Sequence, residues 1–450
     1  MGLTVTGLSD KIGINRGSLS AALNGSKPFS VSYLDAITTA LGEEEGWLYR
    51  YFIEDYFRDG AKASRKRLEP FIIRCAELDR EDCIREVFYK LSENGDSFLS
   101  IMYDVADQLY KKSYAPGEAL IYNYIVKFDY DYQSERLAYA HYRLFRLSIG
   151  DANQELRAVT RFEPFLYRLP DSVQLDAILT IINVHYFQEM WQEAELYGMK
   201  LIKLAERVCE TRMHSRINLS EYASERPLVY YYGYGYLTRS SALQKMGKYH
   251  EARMLIPGYA DLDKFPIKDE EKSEYEIGRF KVWAKANIRT LELLLGNSEY
   301  LPGYIQFIKE NDDELMAGLL TITEAANLHG FDITSALADL SDKVMTINTV
   351  KGTDKSSYCM LMYNLAVYFI SRGMNEDGLN CAIRSVSVAV NINNNDFFRQ
   401  SVTVFESYRK YATATQEKDF LLALKGGETI EKISSTPVLG DSTLPKPAIS

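Results

Sequence analysis

The pattern of apolar and polar positions along this chain is helical almost from end to end. Apolar residues recur at intervals of three and four, and short polar or Gly-containing breaks separate these segments. Alternation of apolar and polar residues, which is the pattern of a half-buried strand, does not persist over any useful length. The chain is therefore predicted to be all-α, with its helices joined mostly by short turns.

The first fifty residues contain three short helical patterns with well-marked ends, at 4–13, 15–25 and 30–42. Gly13 suits the left-handed backbone at a helix end, and Asn15 suits a helix start. A helix, a glycine turn and a second capped helix are typical of a helix-turn-helix. The positions expected to face inward are Val5, Leu8, Ile12, Leu19, Ala22, Leu23, Val31, Leu34, Ile37 and Leu41.

From residue 51 to 425 the chain repeats one form, a helix, a short break and another helix. The break in "FQEMWQEA" matches the break in "LQKMGKYHEA", and a degenerate copy occurs in "ISRGMNEDG". Weaker breaks occur in "SIGDANQEL" and "LLGNSEYLPGYI", and the period is interrupted by an insertion around 209–228. The matched positions are Trp191 with Tyr249, Glu193 with Glu251, Ala194 with Ala252 and Gly378, and Gly247 with Gly373.

Composition narrows the class of protein. Apolar residues make up 46% of the chain and charged residues 25%, with only 12 prolines in 450 residues, which fits a helical globular protein. No apolar run reaches the roughly 20 residues of a membrane span, and no signal-peptide pattern is visible, so we expect a cytoplasmic protein. The net charge of −10 disfavours extensive nucleic-acid binding but leaves room for a small local contact.

Cysteine and histidine patterns argue against a metal or disulfide protein. The cysteines are odd in number and never form a CxxC pair, so each is better explained as a small core residue. The histidines are isolated and lack any ligand spacing, and no metal or other cofactor is expected. These residues are Cys75, Cys83, Cys209, Cys359 and Cys381, and His141, His185, His214, His250 and His329.

The N-terminal pattern resembles the Xre, Cro and phage-repressor family of helix-turn-helix domains. The matching features are Gly13, Ile14 and Asn15, the Asn24-Gly25 stop, and "TALG" at the end of the third helix. Ser9 stands where the family usually has Ala. The resemblance implies a DNA-binding domain at 1–50. It places Arg16, Gly17, Ser18, Ser20 and Ala21 towards the major groove, and Asn15, Asn24 and Lys27 near phosphates.

Two features of this segment make it a weak DNA reader by itself. The family usually has one more helix before this pair, and here only Met1 to Leu3 precede it, so we expect that helix to be missing. Residues 1–50 contain four basic and five acidic side chains, a net charge of −1, and phosphate neutralisation supplies most DNA affinity. Two copies of the segment would then have to bind together to give useful DNA affinity. The alternative is that these helices are merely the first pair of the array.

A basic group follows the N-terminal segment. Lys62, Arg65, Lys66 and Arg67 lie at the start of a long helical pair that also carries many acidic residues. These four side chains could contact the DNA backbone beside the second helix. A solvated helix face is the preferred interpretation, because charge runs of this kind usually face water.

The repeated breaks resemble the tetratricopeptide repeat, in which a glycine turn joins two antiparallel helices and small residues allow close packing. The resemblance implies a superhelix over 51–425 whose concave surface binds extended peptides. Polar side chains near the middle of apolar helices need partners, and an amide can pair with a peptide backbone or with a neighbouring helix. The candidate peptide-binding residues are Asn183, Tyr186, Tyr236, Arg239, Asn287 and Asn364.

The tyrosines in "RPLVYYYGYGYLTRS" cannot all face one core, because residues at i, i+2 and i+4 point in different directions on a helix. Some should line a groove or an interface. A role in the core and in a dimer interface is at least as well supported as a role in ligand binding. The tail at 426–450 is rich in Gly, Ser, Thr and Pro, and we expect it to be flexible.

An Xre-type domain followed by an irregular tetratricopeptide array resembles the peptide-pheromone receptors of Gram-positive bacteria and their phages. This is the Rap, NprR, PlcR and PrgX group, which includes the arbitrium receptors. The resemblance implies a quorum-sensing transcription regulator, a homodimer that binds operator DNA and a short signalling peptide. The alternative is a protein-binding scaffold with a vestigial DNA-binding domain. No nucleophile motif, acid-base pair or phosphate loop is visible, so an enzyme is not expected.

Overall fold

The computed structural model describes residues 4–57, 65–92, 97–214, 224–267, 271–340 and 354–426. Within these ranges all regular structure is helical and there is no strand, which confirms the all-α prediction. The tail beyond residue 426 and much of the insertion at 209–228 lie outside the described residues. No helix in the described part is long and apolar enough to cross a membrane.

The chain forms two compact units. The first unit comprises Met1–Met190 and Glu210–Glu225, and the second comprises Trp191–Cys209 and Arg226–Ser450. Helices of the first unit are α1 Val5–Ile12, α2 Arg16–Leu23, α3 Val31–Leu41, α4 Tyr49–Phe57, α5 Arg65–Glu77, α6 Glu81–Ser92, α7 Ser97–Lys111, α8 Ala115–Phe128, α9 Glu135–Leu147, α10 Ala152–Phe162 and α11 Asp171–Phe187. A 3₁₀ helix, Glu163–Arg168, follows α10.

Helix α12, Trp191–His214, begins in the second unit. The helices that follow are α13 Leu228–Lys245, α14 Tyr249–Leu255, α15 Pro257–Ala260, α16 Glu271–Leu294, α17 Leu301–Glu310, α18 Leu315–His329, α19 Thr334–Asp339, α20 Lys355–Ser371, α21 Asn375–Asn391, α22 Asn395–Tyr408 and α23 Ala414–Lys425. Short 3₁₀ segments lie at Leu262–Lys264, Ser298–Tyr300, Asp312–Glu314 and Arg409–Tyr411.

The three matched sequence breaks share one turn geometry. In the turn after α13, Gly247 is left-handed with φ of 73°, and the N–H of Lys248 donates to the carbonyl of Leu243 at 2.9 Å. The turns centred on Glu189 and Gly373 have the same left-handed residue and the same hydrogen bond. This pattern satisfies the last carbonyls of a helix and starts the next helix two residues later. The three aligned breaks therefore share the same local backbone conformation.

Further turns have this geometry without a sequence signal. Asp79, Ser113 and Asn393 adopt a positive φ between 54° and 56°, and the residue after each donates to a carbonyl five positions back. Non-glycine residues seldom adopt this conformation, because the side chain crowds the backbone. Turns of this geometry therefore also occur at positions where the sequence has no glycine.

The core of the first unit is continuous across residue 50. Leu34 of α3 belongs to the same apolar cluster as Tyr49 of α4, Phe71 of α5, Val87 of α6 and Ile121 of α8. The predicted boundary between 1–50 and 51–425 therefore does not coincide with a break in the packing. A second apolar cluster, between Leu293 and Ala423, lies within the second unit.

Candidate functional site

The first three helices owe their ends to local chemistry. Thr4, Asn15 and Ser30 cap the N-termini of α1, α2 and α3 with their side-chain oxygens, and Asn15 Oδ1 accepts from two N–H groups at 2.9 and 3.2 Å. Gly13 and Gly42 end α1 and α3 in the left-handed conformation, with φ of 67° and 75°. Each of these ends was predicted, because capping depends on neighbouring residues alone.

Two of the predicted inward positions are wrong. Val5 is 37% exposed and Leu23 is 50% exposed. Both residues lie at the end of an eight-residue helix, whereas the buried positions Ser9, Leu19 and Ala22 lie nearer the helix middles. Ser9 donates its hydroxyl to a nearby carbonyl, that of Ile14, at 2.6 Å, so a polar residue is tolerated there.

The residues assigned to DNA contact lie together on α2 and its flanks, and we call this set the α2 surface. Its members are Asn15, Arg16, Gly17, Ser18, Ser20, Ala21, Asn24 and Lys27. Ser18 and Ala21 are half-buried, and the other six are exposed. Among their side chains, Asn15 caps α2 and Asn24 accepts a hydrogen bond from the N–H of Ser26.

The two cations of the α2 surface have no partner within the described part of the chain. Neither Arg16 nor Lys27 forms a side-chain hydrogen bond or ion pair there. Lys11, on the neighbouring α1, behaves differently and donates to the carbonyl of Ala40 at the end of α3. Arg16 occupies the first position of α2, where the helix dipole disfavours a positive charge.

The loop after α2 holds Lys27 close to the helix. The N–H of Lys27 donates to the carbonyl of Ala21 at 2.9 Å, and Asn24 Oδ1 accepts from the N–H of Ser26 at 3.0 Å. Gly25 has φ of 81°, a conformation that favours glycine. Two of the three residues predicted to lie near phosphates, Asn24 and Lys27, thus belong to the tight turn at the end of α2.

The basic group at the start of α5 does not form a free cationic surface. Arg65 pairs with Glu69 and Asp104, and Arg67 pairs with Asp55 at 3.0 Å. Lys66 is exposed, and Lys62 lies outside the described residues. For Arg65 and Arg67 the structure supplies intramolecular partners, which favours the non-DNA interpretation.

The candidate peptide-binding residues fall in both units. Asn183 and Tyr186 lie on α11 in the first unit, where both are half-buried and have interaction partners within the protein. The other four, Tyr236, Arg239, Asn287 and Asn364, lie on α13, α16 and α20 in the second unit. The predicted set is therefore not a single cluster within one unit.

The second-unit candidates already have partners in their own fold. Arg239 donates to Glu195 at 2.8 Å, Asn287 donates to the hydroxyl of Tyr259 at 3.0 Å, and Asn364 donates to the hydroxyl of Thr323 at 3.4 Å. We call Arg239, Asn287 and Asn364 the inner polar set. All three residues are half-buried. The sequence left open whether such groups bind a neighbouring helix, and the structure shows that these three have partners within the protein.

Asn327 on α18 is a polar residue that the sequence reasoning missed. Its Nδ2 donates to the backbone carbonyl of Asn364 at 2.9 Å, while its Oδ1 is buried and has no hydrogen-bond partner among the described residues. A buried amide oxygen without a partner is costly unless a ligand or water satisfies it. The sequence does contain the relevant pattern, an Asn inside an apolar helix: Asn327 in "TEAANLHG" lies near the end of α18.

The tyrosines of α13 divide between core and half-buried positions. Tyr230 and Tyr231 are buried, whereas Tyr232, Tyr234 and Tyr236 are half-buried. The interleaved glycines serve close packing: a Cβ on Gly235 would lie 2.8 Å from the carbonyl oxygen of Gly198 on α12. Small residues at this position let the two helices approach.

A cleft of about 510 Å³ in the second unit contains none of the predicted site residues. It lies between the start of α20 and the turn before α22, and it is wide open to solvent. Its lining residues are Asp354, Lys355, Ser356, Ile392, Asn393, Asn394, Asn395 and Asp396. Because it combines acidic, basic and amide groups without a buried polar anchor, no chemistry is assigned to it.

All five cysteines are buried free thiols, which confirms the interpretation as core residues. Among the described residues, no group of three or more His, Cys, Asp or Glu side chains has the arrangement of a metal site. Burial and the nearby positive charge of Arg168 lower the pKa of His141 to about 4, so this half-buried ring is neutral at pH 7.

No family model matches the chain, and a search of curated proteins finds no significant relative.

Proposed function

We propose that this protein is a DNA-binding transcription regulator that is controlled by a short signalling peptide. In this proposal the α2 surface contacts the major groove and the adjacent phosphates. The helical pairs bind the peptide, and two copies combine to give a homodimer that reads an operator. The protein works in the cytoplasm as a quorum-sensing regulator, as the Xre-type and tetratricopeptide resemblances imply.

One observation carries the DNA-binding half of the proposal. The α2 surface exposes Arg16 and Lys27 beside small polar residues, and neither cation has a partner in the described part of the chain. An arginine at a helix N-terminus opposes the helix dipole, so the fold gains little from placing it there. A phosphate or a base edge would satisfy both the guanidinium and the positive end of the helix.

The charge around α2 is less unfavourable than the sequence count of residues 1–50 indicates. Asp35 and Glu45, two of the five acidic residues in that segment, are both paired with Arg74 of α5 at 3.2 Å. Arg74 adds one positive charge next to these two carboxylates, so it offsets part of their negative charge before any DNA approaches. Affinity should still be modest for a single copy, which favours operation as a pair.

The peptide-binding half is supported by amides on two neighbouring helices of the second unit. Asn327 and Asn364 lie on α18 and α20, which pack together, and the Oδ1 atom of Asn327 is buried without a described partner. An extended peptide offers backbone N–H groups that such an oxygen can accept. Arg239 and Asn287 already bind Glu195 and Tyr259. Each would have to exchange that partner for the peptide on binding.

Selection of binding sites from random DNA duplexes tests the first half. We expect a defined motif from the full chain, and we expect Arg16→Ala to lower affinity for it by about tenfold or more, because a good base contact contributes about 1–3 kcal/mol. Arg85→Ala is the matched control, since Arg85 is exposed and forms an ion pair with Glu81 one turn away. All samples are compared at several fixed salt concentrations.

Two results would contradict the DNA-binding assignment. One is a selection that returns no motif. The other is an Arg16→Ala variant that binds the selected site as tightly as Arg85→Ala does. If a partner protein co-purifies in either case, the scaffold with a vestigial DNA-binding domain becomes the better function.

Calorimetry against short synthetic peptides tests the second half. The peptides are taken from small secreted products encoded beside the gene, and each is titrated into the full chain. We expect one peptide to bind and to change the measured DNA affinity in parallel. Asn327→Ala should weaken that binding, whereas Asn153→Ala, an exposed residue on α10, should leave it unchanged.

A further inference from the structure

Three arginines at and after α5 reach back to the segment that carries α1–α3. Arg67 Nη2 donates to the carbonyl of Phe29 at 2.9 Å, and Arg80 Nη1 donates to the carbonyl of Gly46 at 2.7 Å. Arg74 pairs with Asp35 on α3. The side chains of Arg67, Arg74 and Arg80 are 22%, 29% and 26% exposed, respectively. Such partly buried pairs are less screened than surface pairs.

Arg74 lies at the centre of this set because its fork contacts three carboxylates. Its Nε, Nη2 and Nη1 lie 3.2, 3.2 and 3.3 Å from Asp35, Glu45 and Glu77. The second oxygen of Asp35 accepts from the Tyr49 hydroxyl at 2.7 Å. Burial and the bond to Asp35 raise the pKa of Tyr49 far above its usual value, so this hydroxyl stays a donor. The network therefore joins α3, α4 and α5.

The other two arginines hold the ends of the connecting loops. Phe29, whose carbonyl binds Arg67, follows Lys27 by two residues and ends the loop after α2. Gly46, whose carbonyl binds Arg80, lies in the connection between α3 and α4. Arg67 also lies over the rings of Phe52 and Tyr56, at 5.2 and 5.4 Å. The loop between α2 and α3 and the connection from α3 to α4 are thus both tied to α5 and the turn after it.

We propose that Arg67, Arg74 and Arg80 are positioning residues that lock α1–α3 onto α5, so that the α2 surface moves as one body with helices α4–α8. This inference rests on the proposed function for its consequence. The shared apolar core, which contains Leu34 of α3 and Phe71 of α5, acts in the same direction. Control of DNA binding then operates by moving whole first units relative to the operator, and not by releasing a DNA-binding domain from a flexible linker.

A distance measurement between two spin labels tests the lock without DNA. Asp10→Cys on α1 and Lys111→Cys on α7 provide exposed sites in the full chain, and all five native thiols are buried. Labelling of the parent chain, which lacks the two new cysteines, measures the background. We expect one narrow distance distribution for the labelled protein, and a markedly broader distribution when Arg74→Ala is added. Arg85→Ala, which removes the same charge from an exposed pair within α6, should leave the distribution narrow.

A broad distribution in the labelled parent would overturn the lock, because α1–α3 would already move freely. A distribution that stays narrow in both Arg74→Ala and Asp35→Asn would overturn the role of Arg74. Asp35→Asn keeps the side-chain shape and removes the charge, so it serves as the second variant if Arg74→Ala does not fold. Circular dichroism on each sample establishes folding.

Measurements of DNA affinity distinguish a residue that positions the α2 surface from a residue that contacts DNA. Arg74→Ala should weaken binding to the selected site by about tenfold, because a displaced contact surface loses several interactions together. The dependence of affinity on salt should stay that of the parent, since Arg74 neutralises no phosphate. Lys27→Ala, at a position expected near a phosphate, should reduce that salt slope by about one. An equal loss of slope in Arg74→Ala would show a phosphate contact and would contradict the positioning role. If no variant and no parent binds DNA while the distances behave as expected, the lock stands and the proposed function fails.

Discussion

The polar side chains of α2 and those of the inner polar set occupy opposite environments. In the α2 surface, Arg16 and Lys27 are exposed and have no partner in the described chain, whereas Arg239 and Asn287 are half-buried and bind Glu195 and Tyr259. A side chain without an internal partner contributes little to folding, so substitution should affect only what it binds. A half-buried side chain with an internal partner can contribute to folding and to ligand binding. Its two roles can be separated only if the stability of the variant is measured as well.

The largest effect on stability should come from the close approach of α12 and α13, next to Arg239. Gly235→Ala places a Cβ 2.7 Å from Ile202 Cγ1 and 2.8 Å from the carbonyl oxygen of Gly198. The backbone oxygen cannot rotate away, so the helices must separate. We expect the free energy of unfolding to fall by about 1–3 kcal/mol in denaturant titrations.

Gly278→Ala provides the matched control for that prediction. Gly278 lies inside α16, and a Cβ there would have no neighbour within 4 Å. Replacing a helical glycine by alanine removes backbone freedom from the unfolded chain, so this variant should be more stable by about 0.5–1 kcal/mol. If Gly235→Ala is also stabilising, α12 and α13 do not approach as closely as described.

Sequence reasoning located the helix ends around α2 but not the contacts that hold α2 in place. Capping by Asn15 and the left-handed Gly13 involve residues within three positions, so they can be inferred from a short window. The pairing of Arg74 with Asp35 joins residues 39 positions apart and depends on how α3 packs against α5. No pattern in the sequence distinguishes that arginine from exposed ones such as Arg85.

The same difference explains which turns the sequence did not mark and why the partners of the inner polar set could not be predicted. Gly247 and Gly373 marked their turns, but Asp79 and Ser113 adopt the same backbone because the packed helices on either side require it. For Asn287 the sequence could show that an amide inside an apolar helix needs a partner, and could not show that Tyr259 supplies it.

A smaller effect is expected at Asn287. Asn287→Ala removes the donor to the fully buried hydroxyl of Tyr259, and we expect a loss of about 1–2 kcal/mol in the free energy of unfolding. A double-mutant cycle with Tyr259→Phe measures the pair directly, and the coupling energy should be about 1 kcal/mol. Asn153→Ala on exposed α10 should change stability by less than about 0.5 kcal/mol. A coupling energy near zero would mean that the bond to Tyr259 does not stabilise the fold, so the Asn287 amide could bind a ligand instead.

The smallest effect on stability should be at Arg16. Arg16→Ala removes an exposed cation from the first turn of α2, where the helix dipole is unfavourable to it, so the unfolding free energy should be unchanged or rise by up to about 0.5 kcal/mol. Any gain should shrink as salt is added, because the repulsion is exposed to solvent. Thermal and denaturant unfolding at two salt concentrations measure this. A loss above about 1 kcal/mol would mean that Arg16 supports the fold as Asn287 does, and a loss of DNA binding in the same variant would then no longer indicate a direct contact.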